Sequence, residues 1–211
     1  ALRAGRGSEE VGGEGALAFD GRYTFALTAT PVALGRFSTF VGVPVEGTGA
    51  LTARGEGHLE RPGLRAELLL QGLVIGGLPL GTATADLRLA EGTWQLEAGF
   101  ASPQVRLVAA VDAGPGRPYR VQARFTDTDL IPFLRRLAPD ALGVTTAAAT
   151  GSLSLEGLAE EGAPRLGSLD LSALRVTVQG EAWAASPPVR LRYADGTLEF
   201  KEFHLRRDGG F

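Results

Sequence analysis

Apolar and polar residues alternate one by one along most of the chain. Leu87 and Leu89, for example, are interleaved with Asp86 and Arg88. The same period of two recurs in segments 23–29, 64–70, 84–89, 93–100, 105–111, 119–125, 153–155, 169–171, 174–178, 189–193 and 198–205. Because side chains in a β-strand alternate between its two faces, each segment places its apolar residues on one side. The pattern predicts an all-β protein of about a dozen strands, mostly antiparallel, with one apolar and one charged face.

Turn-forming dipeptides separate these segments. Asp20-Gly21, Glu91-Gly92 and Asp195-Gly196 each stand between two alternating runs, which predicts tight β-hairpins. Pro62-Gly63 and the Gly-Pro-Gly segment at 114–116 predict wider turns.

Helical periodicity is nearly absent. The best candidate runs from Asp129 to Leu137, where Asp129 can cap the helix and Pro132 suits its first turn. Its apolar stripe consists of Leu130, Phe133, Leu134 and Leu137. A weaker stripe of Leu34, Phe37 and Val41 predicts a second short insert.

Parts of the sequence occur twice, in the same order. Three pairs of matching segments show this: Tyr23, Leu34 and Phe37 with Tyr119, Leu130 and Phe133; Thr48-Gly49-x-Leu51 with Thr150-Gly151-x-Leu153; and Ala90-x-Gly92-Thr93 with Ala194-x-Gly196-Thr197. The sequence therefore predicts two repeats, about 15–113 and 114–211, after a flexible, glycine-rich lead-in at 1–14. The chain has no Met, even at position 1, so we expect it to be a piece of a longer protein.

Composition removes several classes of chemistry. The absence of Cys excludes disulfides and thiol catalysis, and a net charge of −3 without a basic stripe argues against nucleic-acid binding. No catalytic, phosphate-binding or zinc motif occurs, so we expect no enzyme activity, no cofactor and no metal site. His58 and His204 are interpreted as separate surface residues, and the Asp127-x-Asp129 pair as helix capping rather than cation binding.

A sheet with one apolar face must bury that face. Two short helical inserts are too small to cover a dozen strands, so the sheet must close, fold over on itself or leave a groove. A filled core between close-packed faces and an open slot about as wide as an acyl chain both fit the pattern. Trp94, in register with Leu96, is expected on the apolar side.

The alternating segments resemble the repeat of the AsmA-like superfamily, and above all the TamB family, the inner-membrane subunit of the translocation and assembly module. The similar residues are the series Tyr119-x-Val121-x-Ala123-x-Phe125, Asp127-Thr128-Asp129-Leu130-x-Pro132-x-Leu134, Thr150-Gly151-Ser152-Leu153-Ser154-Leu155-Glu156-Gly157, Leu169-x-Leu171-x-x-Leu174-x-Val176, Pro188-Val189 and Asp195-Gly196-x-Leu198-x-Phe200. The resemblance extends from about Gly15 to Phe211. In the first copy, Pro31-Val32 replaces the acidic pair.

The resemblance implies a long β-sheet curled into a taco-like trough with an apolar interior. It implies a periplasmic segment of a protein anchored in the inner membrane outside this chain, with phospholipid or detergent in the groove. Such proteins support lipid transport, outer-membrane biogenesis and protein secretion together with an outer-membrane barrel partner. The expected groove lining is Phe25, Leu27, Leu68, Leu70, Leu87, Leu89, Trp94, Leu96, Leu107, Val121, Phe125, Leu153, Leu155, Leu169, Leu171, Val176, Val178, Leu191, Leu198 and Phe200.

Two other functions stay open from the sequence. One is a chaperone-like surface that adds strands of unfolded outer-membrane barrels to an exposed sheet edge. The other is a plain β-sandwich interaction module. Raw sheet edges also predict edge-to-edge contacts between copies of the chain.

Overall fold

The computed structural model describes the backbone of residues 2–6, 9–41, 43–137, 143–161 and 164–207. Within these ranges the described side chains exclude those of residues 2–6, 9, 40, 41, 136, 137, 187, 188 and 202. Val41 and Leu137, the last members of the two predicted helical stripes, therefore lie outside the described side chains.

Thirteen strands make up most of the described chain. They are β1 (Leu2–Arg6), β2 (Glu9–Leu17), β3 (Arg22–Ala33), β4 (Val45–His58), β5 (Arg61–Ile75), β6 (Leu78–Ala90), β7 (Thr93–Phe100), β8 (Gln104–Asp112), β9 (Pro118–Asp129), β10 (Val144–Leu158), β11 (Pro164–Val178), β12 (Glu181–Ala194) and β13 (Thr197–Arg207). The helical segments are a 3-10 turn at Leu34–Phe37 that runs into α1 (Ser38–Val41), α2 (Ile131–Leu137) and a 3-10 turn at Ala159–Glu161.

The strands follow one another in the sheet in chain order, from β1 to β13. The pairings from β1 to β7 and from β9 to β13 are antiparallel. Among the described residues this strand order has two free ends, so the sheet is open. The prediction of an all-β chain with a long, mostly antiparallel sheet and very little helix is confirmed.

The chain divides into two compact units. Unit 1 contains residues 1–101 and 108–117, and unit 2 contains residues 102–107 and 118–211. The two share an order of elements: β3, a short helical segment and β4–β7 in unit 1, then β9, a short helical segment and β10–β13 in unit 2. Tyr23 pairs with Gly57 in unit 1, and Tyr119 pairs with Gly157 in unit 2.

Two of the predicted hairpins have the tight turn that the sequence indicates. Glu91 and Gly92 have φ angles of 52° and 76°, and Asp195 and Gly196 have φ angles of 46° and 84°. Positive φ at both central residues is the signature of a type I′ turn, whose twist matches that of the flanking strands. A turn also forms at Asp20-Gly21.

The turn predicted at Pro62-Gly63 is wrong. The β4/β5 turn lies at Leu59 and Glu60, and Pro62 and Gly63 are strand residues near the start of β5. A proline is tolerated there because the first residues of a strand can lack a ladder donor. Two hydrogen bonds join the backbone of Gly63 to Tyr23. The Gly63 N–H donates to the Tyr23 hydroxyl at 2.9 Å, and the Tyr23 hydroxyl donates to the Gly63 carbonyl oxygen at 2.9 Å.

Residues 1–14, expected to be a flexible lead-in, instead contain β1 and most of β2. β1 pairs with β2 from Leu2↔Gly13 to Arg6↔Glu9, and β2 pairs with β3. The glycines that suggested flexibility have a packing role: a Cβ atom at Gly13 would stand 2.9 Å from the Ala26 carbonyl oxygen and 3.3 Å from Leu27 Cδ1. Glycine permits this close approach of the neighbouring strand.

Bulges keep the apolar residues on one face where the period of two changes phase. In β11, Leu171 pairs with Gly151 and Leu174 pairs with Ala149, so one extra residue stands between them. The apolar set thus moves from odd to even positions without changing face. β3 has a similar irregularity between Ala29 and Val32, which accommodates Pro31.

Each unit has a small buried core beside its helical segment. In unit 1, Leu34, Val45, Leu73 and Ala83 are buried together. In unit 2, Ala149, Leu171 and Val189 are buried, and Leu130 packs against them. The backbone N–H of Ile131 donates to Asp129 Oδ1 at 2.9 Å, which confirms that Asp129 caps α2.

Candidate functional site

The apolar face of unit 1 consists of cross-strand rows. Residues paired across an antiparallel sheet point to the same side, so a chain of pairings traces a row on one face. Two rows contain only apolar residues and glycine: Gly15–Phe25–Gly55–Leu64–Leu89–Trp94 and Gly13–Leu27–Ala53–Ala66–Leu87–Leu96. A third row, Val11–Ala29–Leu51–Leu68–Ala85–Ala98, runs beside them, and Gly49–Leu70–Ala83–Phe100 follows.

Unit 2 repeats this arrangement from β9 to β13. Its rows are Val121–Leu155–Gly167–Tyr193–Leu198, Ala123–Leu153–Leu169–Leu191–Phe200 and Phe125–Gly151–Leu171–Val189. Beyond the bulges, Ala147, Val176 and Trp183 form a further row. Apart from this last row, which is apolar across three strands, the rows of both units are apolar across four or more strands.

The members of these rows differ in burial. In unit 1, Ala53, Ala66 and Ala98 are buried, whereas the larger Leu64 and Leu87 are half-buried. In unit 2, Leu171 and Val189 are buried in the small core, but Leu198 and Phe200 at the β13 end expose 54% and 59% of their surface. Away from the small cores, the larger side chains of the apolar face therefore remain partly accessible.

Several large side chains lie directly over a glycine of the next strand. A Cβ atom at Gly55 would come within 2.7 Å of Phe25 Cζ, and one at Gly157 within 2.8 Å of the Tyr119 hydroxyl oxygen. A Cβ atom at Gly167 would lie 3.0 Å from Leu155 Cδ2. The glycines let these side chains lie flat along the sheet, which lowers the height of the apolar surface at those points.

Nearly all of the residues expected to line a groove fall in these rows. The pairings bring together Phe25, Leu27, Leu68, Leu70, Leu87, Leu89, Trp94 and Leu96 in unit 1, and Val121, Phe125, Leu153, Leu155, Leu169, Leu171, Leu191, Leu198 and Phe200 in unit 2. Val176 pairs with Trp183, Val178 pairs with Val144, and Leu107 lies in β8.

Sequence reasoning missed several small members of the rows. Ala53, Gly55 and Gly167 occupy the same face as the predicted leucines. Ala66 belongs to the predicted alternating run at 64–70 but not to the expected groove lining. Their parity relative to those leucines was available in the sequence as a signal. Which large side chain lies over which glycine depends on cross-strand register, which the sequence alone does not give.

The opposite face of unit 1 is charged in rows of alternating sign. Arg54, Arg65 and Arg88 form one row, and Glu67, Asp86 and Glu97 form the next. Asp86 accepts hydrogen bonds from Arg65 Nη2 at 2.9 Å and Arg88 Nε at 3.0 Å. The Arg65 hydrogen bond, and then that of Arg88, hold the pKa of Asp86 below its usual range.

The residues considered for chemistry have structural partners. His58 lies between two turns, where its Nδ1 accepts from the Glu60 N–H at 3.3 Å and its Nε2 stands 2.6 Å from the Asp20 carbonyl oxygen. Arg175 Nη2 donates to Asp127 Oδ1 at 2.7 Å. Trp94 pairs with Leu89 on the apolar face.

Among the described residues, no three His, Cys, Asp or Glu side chains gather as a metal site requires. In that part of the chain, no helix combines the length and the hydropathy needed to span a membrane. The chain matches no protein-family model, no curated protein and no solved structure.

Proposed function

We propose that this chain is a lipid-conducting segment, in which phospholipid acyl chains move along the apolar rows without any chemical step. The observation that carries the proposal is the continuity of those rows combined with their incomplete burial. Leu64, Leu87 and Leu96 sit in unbroken apolar rows yet are only half-buried. Apolar side chains in that state can gain free energy by covering a hydrocarbon chain.

The energetics suit transport rather than tight binding. Each buried methylene group contributes about 0.8 kcal/mol, and the rows offer many similar positions along the sheet. Because neighbouring rows are alike in composition, an acyl chain can shift from one to the next without crossing a polar barrier. Head groups would stay at the solvent-exposed margin.

The resemblance to the TamB family supports the same function and extends it. On that basis the chain is a periplasmic segment of an inner-membrane-anchored protein, curled into a trough with the apolar rows inside. It would support outer-membrane biogenesis together with an outer-membrane barrel partner. The filled β-sandwich is the alternative in which the rows of one face pack against another apolar surface.

A matched pair of photocrosslinking positions tests the proposal. Leu87 and Arg88 are neighbours in β6 on opposite faces. Each is replaced by p-benzoylphenylalanine, and the purified protein is irradiated after expression in a diderm bacterium. We expect phospholipid adducts at position 87 and none at position 88, with phospholipid also recovered by solvent extraction. Absence of adducts at position 87 together with lipid-free extracts would overturn the proposal.

A second candidate function, strand addition to an unfolded barrel protein, is favoured by one observation. β13 ends the strand order and presents the exposed side chains of Leu198 and Phe200. An extended peptide can pair with such an edge by main-chain hydrogen bonds. Crosslinks to unfolded outer-membrane proteins from position 201 of β13, with none to lipid from position 87, would favour this function over the conduit.

A further inference from the structure

The polar face of unit 2 contains a cleft with arginines at its sides and serines at its base. Two adjoining open cavities, of about 770 Å³ and about 490 Å³, share Ser168 and Arg192 among their lining residues. Ser152 and Ser168 lie on the inner strands β10 and β11, while Arg124 and Arg192 lie on β9 and β12.

Cross-strand pairing explains why a cleft forms here. Gln122, Ser154, Ser168 and Arg192 make one row across the polar face, and Arg124, Ser152, Asp170 and Arg190 make the next. The inner strands therefore contribute short side chains, whereas the outer strands contribute long ones. Three strand spacings separate β9 from β12, a width of about 14 Å.

The larger cavity has a net positive charge, although the chain as a whole has a net charge of −3. The smaller cavity adds two carboxylates, Glu156 and Glu199, the latter being the cross-strand partner of Arg192. These two carboxylates form ion pairs with Arg120 and Lys201. The larger cavity is lined by Arg124, Arg190 and Arg192 against a single carboxylate, Asp170. Asp170 stands 3.5 Å from Arg190 Nε and matches its charge. Among the described residues, no hydrogen bond or ion pair is formed by the guanidinium groups of Arg124 and Arg192, nor any hydrogen bond by the Ser152 and Ser168 hydroxyls.

Unit 1 provides an internal comparison. Tyr23 and Gly57 of unit 1 match Tyr119 and Gly157 of unit 2, and the Ala90/Thr93 pair matches Ala194/Thr197. On this basis the row Arg54–Arg65–Arg88 matches Ser154–Ser168–Arg192, so the serines of the cleft replace two arginines of the inner strands. In the next row, Arg190 replaces Asp86 of unit 1.

We propose that this cleft binds a phosphate group, held by Arg192 and Arg124 from its two sides and by the serine hydroxyls beneath. Guanidinium groups match the planar, bidentate geometry of phosphate oxygens, and charge-assisted hydrogen bonds are about twice as strong as neutral ones. Serine hydroxyls supply further donors. The proposal concerns the polar face and is independent of lipid on the apolar rows.

The phosphate group can belong to a soluble molecule or to a lipid head group, and two probes distinguish these sources. Calorimetric titration with inorganic pyrophosphate at low ionic strength measures the first. Flotation with phosphatidylcholine vesicles, with and without phosphatidylglycerol, measures the second. Saturable binding to pyrophosphate alone indicates a soluble ligand, and binding to the anionic vesicles alone indicates a head group.

Variants decide whether the cleft is responsible. We expect Arg192→Gln to weaken binding of the effective probe by about tenfold or more, the loss typical of a charge-assisted hydrogen bond. Ser168→Glu, which introduces a negative charge at the base of the cleft, should abolish binding. Arg190→Gln should have a smaller effect because Asp170 already matches the Arg190 charge.

The matched control is Arg54→Gln, which removes one positive charge from the polar face of unit 1 and should leave binding unchanged. The arginine side chains are exposed and Ser168 is half-buried on the polar face, so the variants are expected to fold, as circular dichroism can verify. The proposal is overturned if neither probe binds saturably, or if Arg54→Gln weakens binding as much as Arg192→Gln does.

Discussion

The ring of Phe25 lies across the backbone of Gly55, with Phe25 Cζ only 2.7 Å from the place where a Cβ atom of residue 55 would be. The two residues are cross-strand partners in the β3/β4 pair. The packing of the apolar face of unit 1 therefore depends on the fit of the Phe25 ring over a residue that has no side chain, as well as on hydrophobic composition.

Replacing that glycine tests the fit. Gly55→Ala should lower the free energy of unfolding by about 1–3 kcal/mol, because the added methyl group displaces the Phe25 ring from its position. Chemical denaturation measures the change. Gly99→Ala is the matched control: a Cβ atom there would have only an ordinary 3.7 Å contact with the Thr84 hydroxyl oxygen. Equal losses in the two variants would contradict the overlap argument, and Phe25→Leu should restore part of the stability lost in Gly55→Ala.

Removing the cap of α2 should destabilise unit 2. Asp129→Ala eliminates the acceptor of the Ile131 N–H and should cost about 0.5–2 kcal/mol in thermal or chemical denaturation. Asp129→Asn should retain most of the stability because asparagine is also a good cap. Asp127→Asn, which removes only the exposed ion pair with Arg175, should have little effect. A larger loss in Asp127→Asn than in Asp129→Ala would refute the capping role.

Acidification should remove the contribution of Asp86. Since Arg65 and Arg88 lower its pKa in the folded chain below the ordinary value of 3.8, the folded state favours the charged form. This stabilisation is complete above the unfolded value and disappears as pH falls through the lower folded value. The difference in melting temperature between the wild type and Asp86→Asn should therefore be constant above about pH 5 and shrink towards pH 2.

Salt provides the check on that interpretation. The ion pairs of Asp86 are partly accessible, with 28% of its side chain exposed, so about 1 M salt should reduce the same difference at neutral pH. A difference in melting temperature that responds to neither pH nor salt would mean that Asp86 acts through packing.

Association of copies should depend on the apolar residues of β13. Lysine at positions 198 and 200 together should lower the sedimentation-derived association constant, because two exposed apolar side chains on the last strand of the described sheet become charged. Leu166→Lys is the control, since Leu166 is similarly exposed at 52% but lies in β11, which is paired on both sides. Association that weakens equally in both variants would argue against an edge contact.

The sequence could predict what depends on period and turn type. Alternation placed Leu87 and Trp94 on the apolar side, and the acidic-glycine dipeptides located the I′ turns. Prediction from the sequence failed where one residue type is compatible with two different local structures. Pro62 is compatible with both a turn and the start of a strand, and Gly13 is compatible with both a flexible tail and a packed strand. Choosing between the two uses requires knowledge of the neighbouring strand.

The cleft of unit 2 could not be predicted from the sequence, because this prediction also requires knowledge of the neighbouring strands. Arg124 and Arg192 are 68 positions apart by their numbers in the sequence and become neighbours of one cavity only through the register of four strands. Their serine floor has no motif, because its residues come from separate strands. Helix capping at Asp129, by contrast, is a local property and was correctly predicted.

The agreement between strand order and chain order has a mechanical consequence. A strand at either end of the sheet can detach by breaking one ladder of hydrogen bonds, while the ladders behind it stay intact. Force applied to the two ends of this chain should therefore separate the strands one at a time, beginning at β1 or β13. The unfolding trace should show many small force steps. During synthesis, each strand after β1 should leave the ribosome when its preceding partner strand has already been made.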